Sequence, residues 1–100
     1  MGALTRQADS PAGQVRLRYW AAARAAAGVA EEQVDVTGPC SLASLKAHVL
    51  GLHASSARFA AVLDTCSVLV GDRPVGSSDP ESVVVPPGAT VEFLPPFAGG

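Results

Sequence analysis

The sequence predicts an α+β fold, in which a mixed sheet of four to five strands carries one main helix on one face. Three observations lead to this fold class: two alternating apolar stretches stand near the start of the chain, an amphipathic helical stripe follows them, and further alternating stretches come after it. Hydrophobic residues make up 48% of the 100 residues and charged residues 16%, which is typical of one folded domain.

The first strand is predicted where apolar and polar residues alternate strictly, from Val15 to Trp20. Successive side chains of a strand point to opposite faces, so Val15, Leu17 and Tyr19 are expected on the inner face. Trp20 is then in phase with two arginines on the outer face. An exposed tryptophan in this position is a candidate for contact with a partner protein.

A short helix and a second strand are predicted next. Six alanines surround Arg24, and alanine has the highest helix propensity, while Gly28 can end the helix in the left-handed conformation. Residues 31–37 alternate again, with Val34 and Val36 inward. The two strands and their short connection are expected to form an antiparallel hairpin.

The main helix is predicted to begin after Ser41, a suitable N-cap residue. Apolar residues then recur at helical spacing, and this stripe is expected to lie on the sheet. The stripe consists of Leu42, Leu45, Val49 and Leu52. A second helical segment is expected over residues 58–63, with Phe59, Val62 and Leu63 as core candidates.

The remaining strands are predicted in the last third of the chain. Residues 66–70 form an alternating, β-branched run that ends in a turn at Gly71. Pro74 cannot donate to a strand ladder, so the short strand after the turn is expected at a sheet edge. Residues 82–85 are ambiguous. The last strand is predicted over residues 90–94 and is expected to pair beside the first.

This order of elements is the architecture of a β-grasp, or ubiquitin-like, fold. Residues 1–13 lack periodicity and are rich in turn-forming and polar residues, so they are expected to form a flexible N-terminal extension. The β-grasp domain is predicted over residues 14–94. Residues 95–100 are expected to form an extended C-terminal tail that ends in two glycines.

The tail itself points to a function. Pro95 and Pro96 cannot continue a strand ladder, and Gly99 and Gly100 have no side chain that would obstruct the backbone. Such a tip suits a carboxylate that must thread into the active site of another protein. A frayed end without a role is the alternative. The apolar strand and paired prolines that lead directly into the tip favour the functional interpretation.

Composition argues against several other classes of protein. The formal net charge of −2 offers no basic surface for nucleic acid. The longest apolar run is far below the ~20 residues of a membrane helix, and no secretion signal is recognisable, so no membrane contact and a cytoplasmic location are expected. Cys40 and Cys66 belong to no C-x-x-C pair, and His48 and His53 are too few for a metal site.

No combination of residues indicates catalysis by the chain itself. A Ser-His-Asp triad, a Cys-His pair and a pair of carboxylates are all missing from the pattern of predicted elements. A self-contained enzyme is therefore the least favoured interpretation.

Taken together, these stretches resemble the ubiquitin-like sulfur-carrier family of the MoaD/ThiS type, most specifically the small subunit of molybdopterin synthase. Residues 15–28 resemble that family's first strand and Ala-rich turn, residues 68–75 its central hairpin and residues 91–100 its terminal signature. The Pro-Pro-x-x-Gly-Gly ending is the specific part. The chain departs from the family at Gly71, where an Asn is common, and at residues 87–89, where an acidic Gly-Asp turn is common.

The resemblance implies that this protein is a co-substrate and not a catalyst. An E1-like adenylyltransferase would use ATP to adenylate the Gly100 carboxylate, and a sulfur donor would convert it to a thiocarboxylate. The tail, including Gly99, would then enter the large subunit of molybdopterin synthase and donate sulfur to cyclic pyranopterin monophosphate. Two sulfurs need two carriers, which fits a heterotetramer. No cofactor bound to this chain is implied.

Partner contact is expected on the sheet face away from the main helix. Trp20 and Leu94 point there by alternation, and Pro74 lies on the neighbouring edge. This is similar to the hydrophobic surface that the family presents to its activating enzyme. The other partner-binding candidates are Pro95, Pro96, Phe97, Ala98 and Arg24. A solvated helix charge is the alternative interpretation of Arg24.

Two further functions stay open at this stage. The same tail chemistry would serve a carrier for thiamine, cysteine or another sulfur-containing product. A ubiquitin-like protein modifier or interaction module would instead use Gly100 to form an isopeptide bond with lysine.

Overall fold

The structure is a computed structural model that describes residues 13–96 of the chain. The expected extension, except for Gly13, and the tail residues 97–100 lie outside the described residues, so the predicted domain boundaries stay predictions. The elements, in chain order, are β1 (Gly13–Tyr19), α1 (Ala21–Ala27), β2 (Glu31–Val36), β3 (Cys40–Ser41), α2 (Leu42–Leu52), α3 (Ala57–Thr65), β4 (Ser67–Val70), β5 (Arg73–Pro74), β6 (Val84–Val85) and β7 (Thr90–Leu94).

The main sheet has five strands in the order β2-β1-β7-β4-β5. β1 and β2 form the predicted antiparallel hairpin, and β7 pairs with β1 in parallel and with β4 in antiparallel orientation. The mixed sheet and the pairing of the last strand beside the first are thus confirmed. β5 lies at the edge of the sheet, as predicted from Pro74, whose missing backbone N–H is tolerated there.

A second, two-stranded sheet was not predicted. β3 pairs with β6 through Cys40 opposite Val85 and Ser41 opposite Val84. Each strand has two residues, which is too short for any alternation of apolar and polar residues to be recognised in the sequence. Residues 82–85, which the sequence left ambiguous, therefore contribute one of these strands.

The core lies between the sheet and the helices. The inward residues of β1 are those predicted, and Val15, Leu17 and Tyr19 are fully or almost fully buried. The other buried apolar residues are Ala23, Val34, Leu42, Leu45, Val49, Phe59, Leu63, Val68, Val85, Val91 and Phe93. Burial of these side chains is the main favourable contribution to folding, about 1.5–3 kcal/mol for each large one.

One residue of the predicted helical stripe is not in the core. Leu52 is 51% exposed, whereas the prediction placed it on the sheet. α2 ends at Leu52, and the following residue, His53, turns inward and stacks on Phe59 with 4.3 Å between the ring centroids. The prediction for Leu52 was wrong because the helical period no longer determines which face is covered where a helix ends.

The predicted helix ends are confirmed. The Ser41 hydroxyl accepts a hydrogen bond from the Ser44 N–H at 3.0 Å and caps α2. Gly28 has a φ of 82°, the left-handed conformation that favours glycine, and its N–H donates to the Arg24 carbonyl at 2.9 Å. No helix within residues 13–96 is long and apolar enough to cross a membrane.

Candidate docking groove beside the last strand

An apolar groove of about 640 Å³ lies beside the end of β7. It is formed by the first residues after β1, by β4 and β5, and by the chain that leaves β7. Five residues predicted to bind a partner line this docking groove: Trp20, Pro74, Leu94, Pro95 and Pro96. The structure thus brings together residues that are up to 76 positions apart in the chain, from Trp20 to Pro96.

Trp20 is held in a defined orientation at the wall of the docking groove. Its Nε1–H donates to Glu92 Oε1 at 2.9 Å, and the Arg18 guanidinium carbon lies 4.9 Å from the centre of its ring. The side chain nevertheless stays 40% exposed. A tryptophan that is fixed by neighbours yet accessible loses little side-chain entropy when a partner covers it, which is a property of binding hot spots.

Sequence reasoning missed Arg18 and Glu92 as supports of Trp20. Both lie on the outer face by the same alternation, so their face was predictable. Their proximity depends on the β1–β7 register, in which Arg18 is the direct partner of Glu92. That register is a long-range property that no local pattern encodes.

The chain turns sharply between β1 and α1. Ala21 has a φ of 50°, a left-handed conformation that non-glycine residues rarely adopt, and it lines the docking groove next to Trp20. The Trp20 N–H donates to the Phe93 carbonyl at 3.2 Å, which anchors this turn to β7. Local strain of this kind persists where the surrounding structure over-determines a position and is concentrated at functional sites.

The remaining predicted site residues are placed differently. Arg24 is exposed in α1 and does not line the docking groove, so its contact with a partner stays a prediction. Phe97, Ala98, Gly99 and Gly100 lie outside the described residues, and their predicted roles likewise stay predictions.

A second polar cluster, not anticipated from the sequence, joins the hairpin to the helices. Glu32 Oε1 accepts a hydrogen bond from the Tyr19 hydroxyl at 2.7 Å and lies 2.7 Å from His53 Nε2. Burial, together with the hydrogen bond to Glu32, raises the pKa of Tyr19. Partial burial of Glu32 acts to raise its pKa, but the hydrogen bonds from His53 and Tyr19 outweigh it, so the pKa of Glu32 lies below its ordinary value of 4.5.

This cluster predicts a specific dependence of stability on pH. Because the pKa of Glu32 is lower in the folded than in the unfolded state, its contribution is complete above about pH 4.5 and is lost as the pH falls through the lowered folded value. Glu32→Gln is expected to lower the free energy of unfolding near neutral pH and to flatten its decline in acid. Urea unfolding measured between pH 7 and pH 3 tests this expectation.

Glu81→Gln is the matched control, since Glu81 is exposed in the loop before β6. It is expected to leave both the neutral value and the acid slope of the wild type unchanged. An acid slope for Glu32→Gln as steep as that of the wild type would contradict the prediction.

The cysteines and histidines form no recognisable centre. Cys40 and Cys66 are free thiols, and burial raises the pKa of both. A higher pKa lowers the thiolate fraction, so neither has the character of an activated nucleophile. Within residues 13–96, no group of three or more His, Cys, Asp or Glu residues is placed to hold a metal ion.

The fold and the groove together define a class of protein. It is a β-grasp protein whose last strand lies at the centre of the sheet and leads the chain out beside an accessible apolar groove. The chain resembles solved structures of this class over most of its length, while no family model and no curated protein matches it.

Three of these structures are informative. SAMP1 from Haloferax volcanii is 20% identical, with a TM-score of 0.71, and the match covers 88% of this chain and 100% of that chain. The putative molybdopterin converting factor subunit 1 from Pyrococcus furiosus is 22% identical, with a TM-score of 0.67, covering 85% of this chain and 99% of that one.

The third is a chain in the complex of subunits 1 and 2 of molybdopterin-converting factor from Helicobacter pylori. It is 18% identical, with a TM-score of 0.60, and the match covers 87% of this chain and 99% of that chain. Consistent with these neighbours, the chain has the fold of ubiquitin-like proteins of the MoaD/ThiS type.

Proposed function

We propose that this protein is a ubiquitin-like sulfur carrier in molybdenum cofactor biosynthesis. An E1-like adenylyltransferase uses ATP to adenylate the carboxylate of Gly100, and a sulfur donor converts it to a thiocarboxylate. The thiocarboxylate then donates sulfur to cyclic pyranopterin monophosphate within molybdopterin synthase. The observation that carries this proposal is the position of β7, which is central in the sheet and leads directly to the docking groove and the Pro-Pro-Phe-Ala-Gly-Gly ending.

The base of the tail is rigidly held. β7 is paired on both sides, in parallel with β1 and in antiparallel orientation with β4, and Leu94 is its last paired residue. Val91 and Phe93 of this strand are fully buried. A partner that binds the docking groove therefore meets the base of the tail in one fixed geometry, which lowers the entropic cost of binding.

The chemistry requires little from this chain beyond a terminal carboxylate. A carboxylate is a poor acyl donor until one of its oxygens leaves as part of a phosphate anhydride, which adenylation by ATP supplies with release of pyrophosphate. The sulfur nucleophile then displaces AMP, so that one oxygen of the carboxylate is replaced by sulfur. The activating enzyme provides acids and bases for these steps, and side chains of the carrier are not needed.

The absence of a side chain at Gly99 and Gly100 fits this use of the tail. Without Cβ atoms the backbone can pass through a narrow channel and adopt whatever φ the active site of the partner demands. Pro95 restricts its own backbone and offers no N–H donor, so the chain cannot extend the β7 ladder at that residue.

The partner proposed for the charged carrier is the large subunit of molybdopterin synthase. Support comes from the Helicobacter pylori neighbour, whose structure is a complex of subunit 1 with subunit 2. Each molybdopterin needs two sulfurs and each carrier brings one, so we propose a heterotetramer with two carriers.

A second candidate function is protein modification, in which Gly100 forms an isopeptide bond with a lysine. Support for this candidate comes from the structural similarity to a small archaeal modifier protein, with a TM-score of 0.71. Carriers for thiamine, cysteine or another sulfur-containing product would share the same activation step and differ only in the acceptor enzyme.

Intact mass of the purified protein tests the proposal. Incubation with an E1-like adenylyltransferase, ATP and a sulfide source is expected to add about 16 Da, because sulfur replaces one oxygen of the Gly100 carboxylate. Fragmentation is expected to place the added mass on the last residue. The same reaction without ATP is the control and is expected to show the unmodified mass.

The outcomes separate the candidate functions. Higher-mass adducts on other proteins without a thiocarboxylate would favour the modifier. A thiocarboxylate that is consumed by a thiazole synthase, and not by molybdopterin synthase, would assign the carrier to another pathway. No mass change with a competent activating enzyme would refute activation at Gly100.

A further inference from the structure

The strand β2 forms the edge of the sheet opposite to the docking groove. It pairs with β1 on one side, and in the part of the chain that the structure describes no strand pairs with its other side. An edge strand exposes backbone N–H and C=O groups that can pair with another extended segment. The docking groove lies near the other edge, so this feature is independent of the proposed function.

The register of the hairpin determines which backbone groups face outward. The Tyr19 N–H donates to the Ala30 carbonyl at 2.9 Å, so these two residues form a hydrogen-bonded pair. Bonded and non-bonded pairs alternate in an antiparallel ladder. Glu31, Gln33 and Asp35 therefore direct their backbone N–H and C=O groups away from β1, towards the open edge.

An apolar hollow adjoins the same edge on the helix side of the sheet. It has a volume of about 160 Å³ and lies between β2 and α2. Its apolar surface comes from Val34, Val36, Cys40 and Leu45, and its lining is completed by Asp35, Ser44 and His48. A segment added alongside β2 would point every second side chain towards this hollow, because strand side chains alternate between the two faces.

On the other face, β2 itself carries two carboxylates, those of Glu31 and Asp35, and two arginines of β1 lie beside Glu31. Asp35 accepts a hydrogen bond from the neutral Gln14 amide at 2.8 Å, so this contact leaves its charge uncompensated. Glu31 lies 3.9 Å from both Arg16 and Arg18, but these exposed pairs are weak.

These charges disfavour a second copy of the chain as the occupant of the edge. Antiparallel self-pairing centred on Gln33 would place Glu31 of each copy directly opposite Asp35 of the other. Like charges that face each other across a strand pair are destabilising. A segment with basic residues at those two positions would instead form favourable charge pairs with Glu31 and Asp35.

We propose that the β2 edge binds an extended peptide segment of a partner protein by strand addition. The segment pairs with β2 in antiparallel orientation, places basic residues opposite Glu31 and Asp35, and directs apolar residues into the hollow beside Val34 and Val36. Backbone hydrogen bonds to Gln33 and Asp35 provide the pairing, and the two charges together with the hollow provide the selectivity.

A synthetic probe with this pattern tests the proposal on the full chain. The probe is acetyl-Val-Lys-Val-Thr-Val-Lys-Val-amide, and the control peptide has Glu in place of both lysines. Titration followed by ¹H–¹⁵N NMR is expected to shift the backbone amides of Gln33 and Asp35 and to slow their hydrogen exchange. The amide of Arg73, on the opposite edge, is expected to stay unchanged. The acidic peptide is expected to produce no shift.

Two pairs of variants make the test specific. Gln33→Pro removes a backbone N–H that points away from β1, and a proline at such a position is tolerated in an edge strand. This variant is expected to lose peptide binding, whereas Gln33→Ala, which keeps the N–H, is expected to bind the peptide. Asp35→Lys is expected to weaken binding roughly 5-fold or more, and Asp35→Asn by less, since cross-strand charge pairs contribute effects of this size. Thermal unfolding checks that each variant is folded.

Several results would overturn the proposal. These are equal binding of the basic and acidic peptides, shifts confined to the docking groove or to β5, unchanged binding by Gln33→Pro, and no shift up to millimolar peptide. Self-association of the wild-type chain through β2 would overturn the assignment of the occupant as a basic partner segment.

Discussion

Deleting Gly100, or adding one residue after it, is expected to abolish formation of the thiocarboxylate and leave folding nearly unchanged. The proposed activation requires a carboxylate at one defined distance from the docking groove, and a shift of one residue, about 3.5 Å of extended chain, would remove it from the reacting position. Leu94 is the last residue that pairs in the sheet, so the core is not altered. Intact mass after activation and the free energy of unfolding in urea measure the two effects.

The matched control changes the length of the chain elsewhere. One glycine inserted after Thr37, an exposed residue in the turn that follows β2 and outside the docking groove, is expected to leave conversion of the carrier unaffected. If the Gly100 deletion were converted as fast as the wild type, the terminal-carboxylate mechanism would be wrong. A large loss of stability on deletion would show instead that the last residues belong to the folded core.

Trp20→Ala is expected to lower kcat/KM for adenylation by the E1-like enzyme about 30-fold. Truncation of a tryptophan that a partner buries at the centre of an interface typically costs about 2 kcal/mol or more of binding energy. The effect on stability is expected to be much smaller, because the side chain is 40% exposed in the free protein. The ratio kcat/KM for adenylation and the free energy of unfolding, measured on the same preparations, separate the two contributions.

Val29→Ala is the matched control for Trp20→Ala. Val29 is 41% exposed, nearly the same as Trp20, and it does not line the docking groove. The Val29→Ala variant is expected to be adenylated by the E1-like enzyme at the wild-type rate. Should Trp20→Ala lose stability in proportion to its loss of activation, Trp20 would be a structural residue and the docking groove would need another anchor.

The local patterns predicted most of the main sheet and the helices correctly. Strict alternation in β1 identified its buried residues, because a strand with one covered face needs apolar side chains at every second position. The alanines before Gly28 and the serine before Leu42 identified two helix boundaries, since these ends depend on the conformational preferences of single residues. The candidate site was partly predictable for the same reason: alternation placed Trp20 and Leu94 on the outer face.

The errors and omissions have a common physical origin in tertiary contacts. Leu52 was predicted in the core, yet His53 takes the inward position because it meets both Phe59 and Glu32. The β3–β6 pairing was missed since its two-residue strands are held by contacts 45 residues apart, from Cys40 to Val85. The contacts of Arg18 and Glu92 with Trp20 were missed because they depend on the parallel register of β1 with β7.

The sequence by itself determined the order and type of the main elements and the inner face of the first strand, because each of these follows from the preferences of neighbouring residues. Only the tertiary structure decided that Trp20, Pro74 and Pro95 form one groove, that Glu32 joins Tyr19 to His53, and that, within residues 13–96, β2 is an unpaired edge strand of the main sheet. These features depend on strand order and register, which arise when distant segments bury their apolar faces together.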